Sequence, residues 1–112
     1  MQVEQRSPRA LSHLARVKKR LALISAGDAR RTLLEDAIRL CSEAIRRDPN
    51  RNSLYYNRAC YQALLTPPPI PQIIQDMQRA IELLPENREL FRTDPDLANV
   101  RADPGIAALL PP

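Results

Sequence analysis

From Ala10 onward, apolar side chains recur along the chain at helical spacing. Ala10, Leu14, Val17, Leu21 and Ile24 follow one another at alternating steps of four and three, and Leu11 and Ala22 widen the stripe, so one face of a first helix is apolar. Arg9, Arg16 and Arg20 fall on its other side. Ser7-Pro8 ahead of it reads as an N-cap followed by the first helical residue, where the missing proline N–H costs nothing. Gly27 is expected to end this helix and Asp28 to cap the next. The second helix is predicted over about residues 31–47, on Leu34, Ala37, Ile38, Cys41, Ala44 and Ile45, with Arg46 and Arg47 at the negative end of its dipole and Asp48-Pro49-Asn50 breaking it. A third over about residues 53–65 uses Leu54, Tyr55, Ala59, Tyr61, Leu64 and Leu65, and the run TPPPIP ends it. A fourth over about residues 71–84 uses Ile73, Ile74, Met77, Ala80, Ile81 and Leu84, until Pro85 stops it. Beyond a short piece at residues 86–92, Asp94-Pro95 and Asp103-Pro104 each read as N-cap plus first residue, which predicts two short closing helices.

Composition agrees with helices. Two glycines, one phenylalanine and no tryptophan leave little for a β-rich fold, and most of the eleven prolines sit in loops or just inside helix starts. At 112 residues, 44% hydrophobic and 27% charged, the chain is of single-domain size and folds without disulfides or metal. No stretch reaches the roughly 18 apolar residues of a membrane span, and the N-terminus lacks a secretory h-region, so the expectation is a soluble cytoplasmic protein without membrane attachment. Cys41 and Cys60 have no CxxC spacing and read as buried core thiols.

An internal echo organises the helices. Ala37, Cys41, Ala44 and Pro49 are spaced four, three and five apart, and Ile73, Met77, Ala80 and Pro85 repeat those intervals, with EAIRRDPN and RAIELLPEN aligned around them. This resembles the second helix of a tetratricopeptide repeat, and YYNRACYQALL looks like the first helix of such a repeat, with Ala59 at its small position. The two prolines lie thirty-six residues apart against a family period of about 34, and the TPPPIP loop accommodates the extra length. RTDPDLANVRADPGIAALL is similar to the tail that follows the last repeat in this family. Arg58 departs from the pattern, standing where a leucine is usual, and Ile73 stands where an alanine is usual.

The resemblance implies an all-α array of antiparallel helix-turn-helix repeats. Residues 1–7 are a disordered N-terminus, residues 8–92 hold the repeats at about 8–50 and 51–86, and residues 93–112 cap the end, the last of them frayed. It also implies that the ligand is received on a concave face lined by the first helix of each pair. Here that face would present Arg16, Lys19, Arg20, Ser53, Tyr56, Asn57 and Cys60. Arginine and lysine would meet carboxylates, Tyr56 would offer a rigid amphipathic contact, and Asn57 would hydrogen-bond a peptide backbone.

Little in the chain suggests catalysis. His13 is the only histidine and has no motif partner, and Gly27 and Gly105 are too far apart to form a phosphate-binding loop. Asp94, Asp96 and Asp103 read as helix caps and first-turn acids and lack calcium-loop spacing. Pro68-Pro69-Ile70-Pro71 reads as a stiff interhelical loop. Charge is the informative feature. Residues 1–31 carry eight Arg/Lys against Glu4 and Asp28, while the remainder is slightly acidic. The expectation is therefore a non-enzymatic protein-protein interaction module, an adaptor or scaffold without cofactor or metal, that recognises an acidic segment of a protein or peptide partner. Its rivals are a basic nucleic-acid-associated accessory protein and a structural subunit that works only as an oligomer.

Overall fold

A computed structural model describes residues 7–111, so the expectation of disorder over residues 1–6 and of fraying at residue 112 lies outside the described residues. The fold is all-α, with no strand among the described residues. The principal helices are α1 (Pro8–Leu23), α2 (Gly27–Arg47), α3 (Asn52–Ala63) and α4 (Ile70–Leu83). After them come α5 (Asn87–Thr93), a single 3-10 turn (Pro95–Leu97) and the one-turn α6 (Pro104–Ala107). None of the described helices is long and apolar enough to cross a membrane.

Local chemistry explains where the helices start. The Ser7 hydroxyl accepts the Ala10 N–H at 3.1 Å with Pro8 in the first turn, as expected of an N-cap. The Asp94 carboxylate accepts the Asp96 N–H, and that of Asp103 the Gly105 N–H, both at 2.9 Å. One start differs from expectation. α2 begins at Gly27, four residues early, on an Ala26 that makes no side-chain cap, and Asp28 sits in the first turn rather than at the cap. Gly27 has φ +58°, a left-handed conformation that glycine adopts without steric cost, so this residue turns the chain from α1 directly into α2.

Consecutive helices pack as two hairpins, α1 with α2 and α3 with α4, and α2 lies against α3 to join them. The slab measures 51 × 33 × 20 Å. Ala37, Cys41 and Ala44 of α2 are fully buried, and so are their echoes Ile73, Met77 and Ala80 of α4. Both helices end two residues before their proline, and in both the N–H after the helix bonds back to the echoed alanine carbonyl, Ala44 or Ala80. Ala37, Ala44 and Ala80, with Ala59 also fully buried, let the helices approach closely. The closing elements cover the open side of the second hairpin with Phe91, Leu97, Val100 and Ile106. Gly105 is so close to α4 that a Cβ there would lie 2.7 Å from Ile74 Cδ1.

Arg58, the departure from the repeat pattern, has a structural task. Its guanidinium donates to both carboxylate oxygens of Asp76 at 2.7 Å and to the Ser42 hydroxyl at 3.0 Å, while Gln62 Nε2 donates to the same carboxylate at 3.0 Å. Asp76 is 4% exposed. This network ties α2, α3 and α4 together by charge-assisted hydrogen bonds. The Asp76 hydrogen bonds also raise the Arg58 pKa above its ordinary value.

α1 packs on a different line from the expected one. Its buried residues are Leu11, Ala15 and Ala22, one position on from Ala10, Leu14 and Leu21, which rotates the packed line about 100° around the axis. The alanines permit close contact with α2, and the larger aliphatics Leu14, Val17, Leu21 and Ile24 are left outside.

Candidate functional site

The first helices of the two hairpins, α1 and α3, border one face of the slab, and the closing segment reaches back onto it. Lys19 Nζ of α1 lies 3.0 Å from Asp96 Oδ2. On α3, the Tyr56 hydroxyl donates to Asp94 Oδ2 at 2.8 Å, and Cys60 Sγ lies 3.7 Å from the same oxygen. The Tyr56 ring stacks on Phe91 with centroids 4.2 Å apart and planes 13° from parallel. An acidic Asp-Pro-Asp segment of the chain thus occupies this part of the face, held by one ammonium, one phenol and one thiol.

The other part of the face is open. A groove of about 580 Å³ runs between the first half of α1 and the start of α3, and Arg9, His13, Arg16, Arg51 and Ser53 line it together with Ser7, Ala10 and Ser12. Among the described residues, no acidic one lines it. Arg51 makes an ion pair with Asp48 at 2.9 Å, while Arg9, His13 and Arg16 have no ion pair among the described residues. Such a groove offers a carboxylate or other anion several charged donors with hydroxyls between them.

The seven residues expected to form the site therefore divide. Arg16 and Ser53 share the open groove, and Lys19, Tyr56 and Cys60 share the part filled by Asp94 and Asp96. Asn57 is half-buried on α3 with no side-chain hydrogen bond among the described residues. Arg20 is exposed and lines neither part. Sequence reasoning missed Arg51 as a lining residue, because nothing local distinguishes it from the other solvated arginines. It also missed that the tail aspartates pair with α1 and α3 as well as capping, since those contacts join distant parts of the chain.

Cys60, Asp94 and Asp96 bring three ligand-type atoms within 4.8 Å of one another. The Lys19 ammonium already fills the space beside Asp96 that a cation would take, and the Tyr56 phenol and the Asp96 N–H already bond to Asp94. Burial, reinforced by the two carboxylates, holds the Cys60 thiol well above its ordinary pKa and so protonated. Burial and the bond to Asp94 raise the Tyr56 phenol in the same way. Cys41, on α2, is pushed up to about 12 by burial. The two thiols are unpaired and buried, as the sequence implied.

A second cavity, of about 290 Å³, lies at the start of α2 between Arg30, Arg31, Leu34 and the end of α3. Its arginines are engaged with main-chain carbonyls, Arg30 with Ala22 and Arg31 with Thr66. Comparison of the chain with protein-family models, with curated proteins and with solved structures gives no match.

Proposed function

We propose that this chain is a protein-protein interaction module that takes an acidic segment of a partner along the face between α1 and α3. One observation carries the reading. The face already holds an acidic segment, the chain's own Asp94-Pro95-Asp96, through Lys19, Tyr56 and Cys60, and next to it lies a groove lined by Arg9, His13, Arg16 and Arg51 with no acid among the described residues. Carboxylates of a partner would meet guanidinium groups there, and hydroxyls such as that of Ser53 would serve its backbone. The reading includes a tetratricopeptide-like pairing of helices, supported by the matching burial of Ala37, Cys41 and Ala44 with Ile73, Met77 and Ala80. It assigns the chain binding rather than catalysis, without cofactor. Two unpaired thiols fit a reducing compartment, and the cytoplasm is the compartment proposed.

The test is fluorescence anisotropy with a labelled peptide rich in Asp and Glu, and with a labelled DNA duplex of random sequence. The expected result is saturable peptide binding that Arg16→Glu weakens roughly tenfold, the scale of one charge-assisted contact reversed in sign. Arg16 is exposed and makes no ion pair among the described residues, so its replacement leaves the fold intact. Equal peptide affinity of the wild type and Arg16→Glu would overturn the proposal. Tight duplex binding with a steep salt dependence, and none of the peptide, would install the nucleic-acid reading instead.

A further inference from the structure

Three aliphatic side chains of α1 and a fourth at its end form a partly exposed apolar line among the described residues. Leu14, Val17 and Leu21 keep 36%, 41% and 45% of their surface exposed and Ile24, at the end of the helix, 83%, while the helix packs through Leu11, Ala15 and Ala22. Leu14 and Leu21 lie about 140–160° around the axis from the groove-lining Arg16, so the seam faces away from that arginine and meets the groove only at Ala10 and His13. With Ala10 at its start, the line advances by four, three, four and three residues. That average of 3.5 is the period of a coiled-coil seam, in which alternate knobs enter the holes of one facing helix. A seam of this kind needs a second helix along it.

Charge decides which helix. α1 carries Arg9, Arg16, Lys18, Lys19 and Arg20 and no acidic side chain. Lys18 borders the seam on one side, and His13 and Arg20 border it on the other. Lys18 is 3.6 Å from Asp36 of α2, whereas Arg20 has no ion pair among the described residues. A second copy of this chain laid antiparallel would set Arg20 and His13 against their own equivalents. Laid parallel, it would set Arg20 beside Lys18. Both arrangements pair like charges at the border of an apolar seam, which suppresses self-association. A membrane surface is the weaker match as well, because α1 has no Trp, Tyr or Phe to anchor at headgroup level.

We infer that the Leu14–Val17–Leu21–Ile24 seam of α1 docks an amphipathic helix of a partner protein, apolar at its own a and d positions and lined with glutamate at the flanking e and g positions. The contact is a short two-stranded seam. Apolar knobs supply its affinity, and Arg20 facing glutamate supplies its selectivity and orientation.

The probe is a fluorescein-labelled synthetic helix of about three heptads, Leu and Ile at a and d, made in one version with Glu at e and g and one with Lys. Anisotropy titration with the full chain is expected to show the Glu version binding at least tenfold more tightly than the Lys version, about 1.4 kcal/mol by the affinity relation. Val17→Asp or Leu21→Asp is expected to abolish that binding, and Arg20→Glu to reverse the preference between the two versions. Arg16→Glu, which tests the groove, is expected to leave it unchanged, so this inference and the proposed function fail separately. Because the seam residues are exposed, far-UV circular dichroism of the variants should match the wild type. Equal binding of the Glu and Lys versions, or unchanged binding by Leu21→Asp, overturns the inference. So does a doubled mass in sedimentation equilibrium that Val17→Asp halves, which would make the occupant a second copy. Co-sedimentation with phosphatidylcholine–phosphatidylserine vesicles without peptide binding would overturn it in favour of a lipid surface.

Discussion

Asp76→Ala is expected to cost about 3 kcal/mol of stability, and the figure follows from what the carboxylate leaves behind. Asp76 is 4% exposed and accepts three hydrogen bonds, two from Arg58 at 2.7 Å and one from Gln62 at 3.0 Å. Breaking a buried ion pair by removing one partner costs about 3–5 kcal/mol, because the remaining charge is stranded. Here the low end applies. The Arg58 side chain is 23% exposed and keeps its bond to Ser42, so water reaches part of the abandoned guanidinium. At about 4 °C per kcal/mol for a domain of this size, the melting temperature should fall by roughly 12 °C. Urea unfolding followed by far-UV circular dichroism measures the loss. The decisive companion is Arg58→Leu combined with Asp76→Leu, which removes both charges. It should recover most of the loss and end within about 1 kcal/mol of the wild type, the remainder being the unmatched amide of buried Gln62. A cost below about 1 kcal/mol for Asp76→Ala, or a double variant as unstable as the two single ones added together, would refute the reasoning.

Four further outcomes are expected. Burial raises the Cys41 thiol from 9.0 to about 12 and pushes Cys60, Tyr56 and Tyr61 upward too, so the unfolded chain releases these protons first. Stability should therefore be complete below pH 9 and fall as pH climbs from 9 toward 12, by about 1.4 kcal/mol per pH unit for each group; urea midpoints on either side of pH 9 should show this, with a shallower fall in Cys41→Ala. Phe91→Ala empties a site of 0% exposure beneath the Tyr56 ring and should cost about 3–4 kcal/mol in thermal unfolding. Gly27→Ala has open space around it but holds φ +58°, so calorimetry should show a loss of about 1–2 kcal/mol. Gly105→Ala meets the flexible tip of Ile74 and, at 3.3 Å, the Asp103 carboxylate oxygen that caps α6, and should lose about 1 kcal/mol by the same measurement.

In the closing segment the same residues cap a turn and pair with distant helices. Asp94 caps the 3-10 turn through the Asp96 N–H and at the same time accepts the Tyr56 hydroxyl, and Asp96 sits in that turn while pairing with Lys19. The capping half of this arrangement was legible as Asp-Pro in the sequence, because a cap is made within two or three residues. The other half was not, since Lys19 and Asp96 meet only when α1, α3 and the tail are assembled. Gly27 belongs to the same class of partial success. Its role as a turn residue was evident, but a positive φ that starts α2 directly depends on how closely α1 and α2 pack.

The sequence by itself determined the all-α fold, the four main helices to within a few residues, the two closing turns, the burial of both cysteines and the echo between α2 and α4. These are products of local physics, the 3.6-residue period, cap chemistry and proline stops, which neighbouring residues set among themselves. Only the tertiary structure decided which side of α1 is packed, because Ala10, Leu14 and Leu21 and their neighbours Leu11, Ala15 and Ala22 are both acceptable apolar lines one residue apart. Close approach to α2 selected the line with the alanines and left the larger side chains outside. Tertiary packing likewise chose which basic residues share an open groove and which are answered by the aspartates of the tail, since a charge pattern along a helix does not say what will face it.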